Sequence, residues 1–186
     1  MPTVLIKHWH KTSDMQVSKK VVVLGHFGVG KTSLIRRFVE NSFSDNYTVS
    51  IGVHITKKVV EISAVNSVSL ILWDLEGTDD LNHIRESYLL GTHGIIYVFD
   101  VSRPTTFQDI HLDLAVLQKK VPGIPTKIVG NKVDLVAPTE VKEILGNNNI
   151  SFDYLTSAKT GGKVDDLFEE LAKMLAPDAE KIKGTL

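Results

Sequence analysis

The chain has no cysteine among its 186 residues. That excludes disulfides and cysteine-ligated metals, and no cysteine-borne lipid anchor is expected. An excess of one charge is also missing: 21 Lys and Arg stand against 22 Asp and Glu, a formal net charge of −1. General nucleic-acid and anionic-membrane binders carry a basic excess, so neither class is expected. No apolar run approaches the ~20 residues needed to span a bilayer. Met1 to His10 hold no apolar stretch behind a basic start, which argues against a secretory signal. Pro2 stands where N-myristoylation requires glycine. Internal repeats and low-complexity tracts are absent too. What remains is the composition of an ordinary globular domain with one buried core, and the expected location is the cytoplasm.

From about Lys19 to Leu175, apolar runs alternate with helical patterns. Val21 to Leu24 is a short continuous apolar run, as in a strand covered on both faces. It ends in a glycine-rich turn, after which Leu34, Ile35 and Phe38 follow at helical spacing. Val53 to Ile62 and Val68 to Trp73 read as an antiparallel pair joined by the polar break Ser63 to Ser67. Leu81, Ile84 and Tyr88 predict a short helix, and Gly94 to Asp100 another buried strand. Phe107, Ile110, Leu114, Leu117 and Val121 mark the clearest helix face. A strand at Thr126 to Gly130 follows Pro125. A helix near Val141 to Leu145 ends at Gly146, and a last strand covers Ile150 to Leu155. Val164, Leu167, Phe168, Leu171 and Leu175 form a final amphipathic helix, stopped by Pro177. Such alternation predicts a mainly parallel sheet with helices on both faces, and a ligand outside the strands' carboxyl ends. The domain is expected over 19–176, with an extension at 1–18 and a polar tail at 177–186.

The strongest motif is Gly25-His26-Phe27-Gly28-Val29-Gly30-Lys31-Thr32, with the spacing G-x-x-x-x-G-K-[ST] between a strand and a helix. Glycines let such a loop curl so that successive N–H groups face phosphate oxygens. Lys31 would neutralise the outer phosphates and the Thr32 hydroxyl would reach Mg²⁺. The helix that follows adds its positive dipole end. Asn131-Lys132-Val133-Asp134 follows the strand ending at Gly130. An Asp carboxylate there can accept hydrogen bonds from two guanine donors that adenine cannot offer together. In Ser157-Ala158-Lys159, after the last strand, a backbone N–H is placed to meet the guanine O6. His8 and His10 lack a nearby third ligand and read as an unliganded tail. His26 reads as a variable loop position.

With Asp74-x-x-Gly77 between them, these motifs resemble those of Ras-superfamily small GTPases in order and spacing, and Trp73 before Asp74 resembles the Rab-type branch. The resemblance covers about residues 19–176. It implies an α/β P-loop NTPase fold, a Ras-like G domain with a six-stranded, mainly parallel sheet, and GTP/GDP with Mg²⁺ as ligands. Nucleotide contacts are implied for Gly25, Phe27, Gly28, Val29, Gly30, Lys31, Thr32, Ser33, Gly77, Asn131, Lys132, Asp134, Ser157, Ala158 and Lys159. Phe43 would pack against the guanine, Tyr47 would close over the phosphates, and Ser50 would stand for the Mg²⁺-binding switch threonine. Metal ligation is expected of Thr32, Ser50 and, through water, Asp74; a part in hydrolysis is expected of Lys31, Gly77 and Thr78. Effector or regulatory proteins would read the segments at about 43–52 and 75–88.

Three positions depart from the family pattern. Thr78 replaces the glutamine that orients the attacking water, Glu76 replaces a small alanine, and Phe27 stands where glycine or another small residue is common. All three surround the expected γ-phosphate and predict slow hydrolysis without help from a partner's arginine. Asp79, Asp80 and His83 are the remaining candidates to position water. Two functional expectations follow: a GTP/GDP switch, or an interaction module that holds nucleotide with little turnover. An adenine-nucleotide enzyme is disfavoured by Asn131 and Asp134.

Overall fold

The computed structural model describes residues 15–44, 52–77, 80–147 and 149–177. The Val21–Leu24 run belongs to a longer first strand, β1 (Met15–Leu24). Its outer half is polar because only one neighbour pairs there; a second strand joins it from Val21 onward. Residues 15–18, assigned from the sequence to an extension, are therefore strand.

The chain continues through α1 (Lys31–Glu40), β2 (Val53–Ser63), β3 (Asn66–Leu75), α2 (Glu86–Leu89) and β4 (Gly94–Asp100). It then forms α3 (Ile110–Lys120), β5 (Thr126–Asn131), α4 (Pro138–Asn147), β6 (Tyr154–Leu155) and α5 (Val164–Leu175). The sheet order is β2-β3-β1-β4-β5-β6. All neighbours are parallel except the hairpin β2–β3. This is the six-stranded, mainly parallel sheet expected.

Alternation along the strands divides the core into two layers. Val21, Val23, Ile96 and Val98 pack with Leu34 and Phe38 of α1 and with Leu167, Phe168 and Leu171 of α5. Val22, Leu24, Ile95, Tyr97 and Phe99 pack on the other face with Leu89 of α2, Ile110 and Leu117 of α3, and Val141 and Leu145 of α4. Each fully buried aliphatic or Phe side chain contributes about 1.5–3 kcal/mol to this arrangement. β4 is buried along its whole length, as a central strand with both faces covered must be. The Phe38 and Phe168 rings stack with centroids 4.1 Å apart and close α1 onto α5.

Leu81, Ile84 and Tyr88 do not share one helix. The Asp80 carboxylate accepts from the Asn82 N–H at 2.8 Å and starts a 3-10 turn at Leu81–His83; Ile84 and Arg85 are extended, and α2 follows. α3 begins only at Ile110, because Pro104–Thr106 forms a separate 3-10 turn ending at Phe107. The last predicted strand shrinks to Tyr154–Leu155, because the Ile150 N–H turns back to the Leu145 carbonyl. The carboxyl ends of β1, β3, β4, β5 and β6 open on one rim. The four motifs sit there.

Candidate functional site

The phosphate loop connects β1 to α1. Gly25, Gly28 and Gly30 have φ of 139°, 74° and 96°, values that favour glycine over any residue with a side chain. A Cβ on Gly25 would lie 2.0 Å from the Val98 carbonyl oxygen, so this glycine is also required by close approach to β4. Lys31 is buried at 6% exposure; its Nζ donates to the carbonyls of Gly25 (2.9 Å) and His26 (3.0 Å). The ammonium is thus folded back over the loop that it would help to fill with phosphate.

Beside Lys31, the Thr32 hydroxyl donates to Asp74 Oδ2 at 2.6 Å. Asp74, the last but one residue of β3, is 2% exposed, and its Oδ1 is buried with no partner among the described residues. Burial pushes this carboxyl up, opposed by the Thr32 hydrogen bond and by the Lys31 and His54 charges. A hydroxyl and a buried carboxylate with an orphaned oxygen fit the needs of a hard cation or its bound water. No cluster of three His, Cys, Asp or Glu occurs among the described residues. Mg²⁺ takes few protein ligands and completes its shell with water and phosphate.

Asn131 is buried at the end of β5 and ties three segments together. Its Nδ2 donates to Val29 O at 3.0 Å, while Oδ1 accepts from Thr156 Oγ1 at 3.2 Å and the Ala158 N–H at 3.1 Å. The Ala158 N–H, a candidate for guanine O6, is thus turned to Asn131. Lys132 adopts φ 66° and donates through Nζ to Gly28 O at 2.7 Å. Ser157 donates to Asp134 Oδ1 and orients that carboxylate. Phosphate loop, base motif and Ser157–Lys159 therefore form one hydrogen-bonded unit.

The family model described as Ras family matches residues 20–176. The chain belongs to the Ras superfamily of small GTPases. It is similar to "Ras-related protein Rab-1" of Theileria parva, 34% identical over 165 residues that cover 84% of this chain and 73% of that protein. It is similar also to "Ras-related protein Rab-32C" of Dictyostelium discoideum, 31% identical over 172 residues, covering 87% of this chain and 75% of the relative. "Ras-related protein Rab-13" of Canis lupus familiaris is 31% identical over 160 residues, 83% of this chain and 78% of its own.

Within this small GTPase, Tyr47, Ser50, Thr78 and Asp79 lie outside the described residues. Phe43 is half-buried against the α1–α5 layer. Phe27, at 43% exposure, stands at the loop's rim. Gly77 crosses close to it: a Cβ there would lie 2.5 Å from the Phe27 Cα. The Glu76 carboxylate accepts from the Gly52 N–H at 3.1 Å, and the Glu76 N–H donates to Gly52 O at 2.9 Å. Its charge is thus engaged between the two segments that bracket the site. Asp80 caps the 3-10 turn, and His83 pairs with it at 3.3 Å on the surface.

Several residues of the site carry no motif signal. Arg37 of α1 donates to the carbonyls of Ala158 (2.8 Å) and Lys159 (2.7 Å), fixing the loop below the expected base. His26 lies 3.4 Å from Asp113 of α3, whose carboxylate also takes the Tyr97 hydroxyl. Asp100, at the end of β4, pairs with Lys132 at 2.7 Å. Asp100 alone was within reach of sequence reasoning, since it ends a strand at the ligand rim. Among the described residues no helix is long and apolar enough to cross a membrane.

Proposed function

We propose that this small GTPase is a GTP/GDP switch that binds its nucleotide with Mg²⁺ and hydrolyses GTP slowly. The observation that carries the reading is the meeting of Thr32 Oγ1 with a buried Asp74, beside Lys31 and across the rim from Asp134. In this reading the N–H groups of Gly28 to Ser33 bind the phosphates and Lys31 sits against the outer ones. Thr32, Asp74 and Ser50 would hold Mg²⁺, which supplies charge neutralisation on the phosphate oxygens. Asp134 selects guanine, Asn131 and Lys132 hold the base motif against the loop, and Ser157, Ala158 and Lys159 close that side. Phe43 and Tyr47 cover the base and phosphates.

Lys31, Gly77 and Thr78 are the residues nearest the hydrolytic step. Thr78 reaches less far than glutamine, and Phe27 adds bulk where a partner's arginine would enter, so turnover is slow. Effectors or regulators read the segments at about 43–52 and 75–88. The domain, expected over 19–176, takes in the first strand from Met15 and acts in the cytoplasm, and the charge balance disfavours nucleic acid as a partner. A second reading, a nucleotide-holding module without a cycle, is favoured by the Glu76–Gly52 link, which joins the two segments by the protein's own groups.

Incubation with GTP and Mg²⁺, with bound and released nucleotide quantified over hours, tests both. Gradual conversion to GDP is expected. Complete retention of GTP, even with cell extract added, would sink the cycling switch in favour of the holding module. Preference for ATP would overturn the base assignment.

A further inference from the structure

Six successive carbonyl oxygens of the phosphate loop, Gly25 to Gly30, each have a donor. Gly25 and His26 accept from Lys31, Gly28 from Lys132, Val29 from Asn131, and Gly30 from the Leu34 N–H. Phe27 accepts from the Arg103 guanidinium. In a curled loop the direction of each carbonyl fixes that of the neighbouring amide, so a donor that holds a carbonyl in place also holds the aim of the N–H groups beside it. Lys31, Lys132 and Asn131 belong to motifs already assigned. Arg103 belongs to none.

Arg103 is held for this contact. Its N–H donates to Asp100 O at 3.0 Å, and its carbonyl accepts from the Thr106 N–H at 3.0 Å and Thr106 Oγ1 at 2.8 Å. Pro104 then opens the 3-10 turn. In the same loop, Asp100 is buried and accepts from Ser102 N–H at 3.0 Å and Ser102 Oγ at 2.6 Å. Its other oxygen pairs with Lys132 at 2.7 Å, and Lys132 reaches Gly28 O. The loop after β4 therefore grips Phe27 directly and Gly28 through Lys132. The Arg103 Nε is buried without a partner among the described residues. A buried donor without an acceptor is unfavourable, so the Phe27 contact made by the other end of the guanidinium is what holds the side chain here.

We infer that Arg103 is a positioning residue of the nucleotide site, bracing the Phe27 carbonyl so that the loop's amides stay aimed at phosphate and release of nucleotide is slow. The inference rests on the guanine-nucleotide reading of the loop. The test loads the full chain with a fluorescent GDP and Mg²⁺, then follows its release into excess GDP. Arg103→Ala should release it about tenfold faster, the effect of losing one charge-assisted hydrogen bond. Arg103→Lys, which keeps a charged donor, should fall within about threefold of the parent rate. Melting of both variants without nucleotide, in EDTA, should match the parent, a readout that a merely structural role would lower. Release from Arg103→Ala at the parent rate would overturn the inference, as would equal loss of melting temperature without nucleotide and no rescue by lysine. If the alanine chain does not fold, Arg103→Gln takes its place under the same criteria. A parent chain that fails to retain GDP removes the nucleotide reading and this inference together; a parent that retains it while the variants match removes the inference alone.

Discussion

Asp134 and Thr78 show how single side chains divide the work of this site. The Asp134 carboxylate is oriented by the Ser157 hydroxyl. Asp134→Asn keeps an oxygen for Ser157 but replaces one acceptor with a donor, so it meets the guanine donors with a like group. Two charge-assisted hydrogen bonds are weakened, and GTP affinity should fall on the order of a hundredfold while the unfolding transition of the nucleotide-free protein stays put. Competition binding of GTP against xanthosine and adenosine triphosphates checks this; unaltered guanine preference would remove Asp134 from base recognition. At position 78 the change runs the other way. Thr78→Gln restores a side chain long enough to orient water, and single-turnover phosphate release should rise on the order of tenfold. No gain would mean that Phe27 or Glu76, rather than Thr78, limits the step. The motif residues were legible in the sequence because each has a fixed spacing from a strand end. Arg37, Arg103 and Asp113 were not, because they act from elements remote in sequence and touch the loop through carbonyls or through a single imidazole.

At the scale of elements, the β2–β3 ladder ends in the pair Val53–Leu75, yet it is zipped one residue further. The Glu76 N–H donates to Gly52 O, and the Glu76 carboxylate returns a bond to the Gly52 N–H. Alanine at 76 retains the backbone bond and loses the side-chain one. Amide exchange at Gly52 should therefore quicken about fivefold in Glu76→Ala and less in Glu76→Gln, which keeps an acceptor. Equal exchange rates in the three proteins would show that the carboxylate does not hold the two segments together. The hairpin itself was legible, as were α5 and β4, since long apolar periodicity records burial on one face or two. The segment 81–89 was not: its three apolar residues keep helical spacing, but the Asp80 cap starts a 3-10 turn and Ile84 and Arg85 break the helix. Nor was the start of β1, whose polar outer half is flanked on one side only and carries no apolar run. β6 was overestimated because Ile150 is buried by a turn onto α4 rather than by strand pairing.

Taken as a whole, the molecule places its ligand rim on the seam between the two core layers. The donors to the phosphate loop's carbonyls come from α1, from the loop after β4 and from the end of β5. Arg37 further ties α1 to the Ser157–Lys159 segment ahead of α5. Disorder in the loop would thus loosen both layers, and the nucleotide should stabilise the domain as one cooperative unit rather than protect a single edge. For a ligand that binds only the folded state, stabilisation is RT ln(1 + [L]/Kd), about 2.7 kcal/mol when the ligand stands at a hundred times Kd. A domain of this size shifts its melting temperature by about 2–4 °C per kcal/mol, so GDP with Mg²⁺ should raise it by about 5–10 °C. EDTA should remove most of that gain, since Thr32 and Asp74 then face each other without the cation that their orphaned oxygen fits. Differential scanning calorimetry at a series of GDP concentrations gives the answer. One transition that climbs with GDP and falls with EDTA supports the coupling. An equal shift with ADP would contradict the guanine assignment, and two separate transitions would show that the rim and the core layers unfold independently.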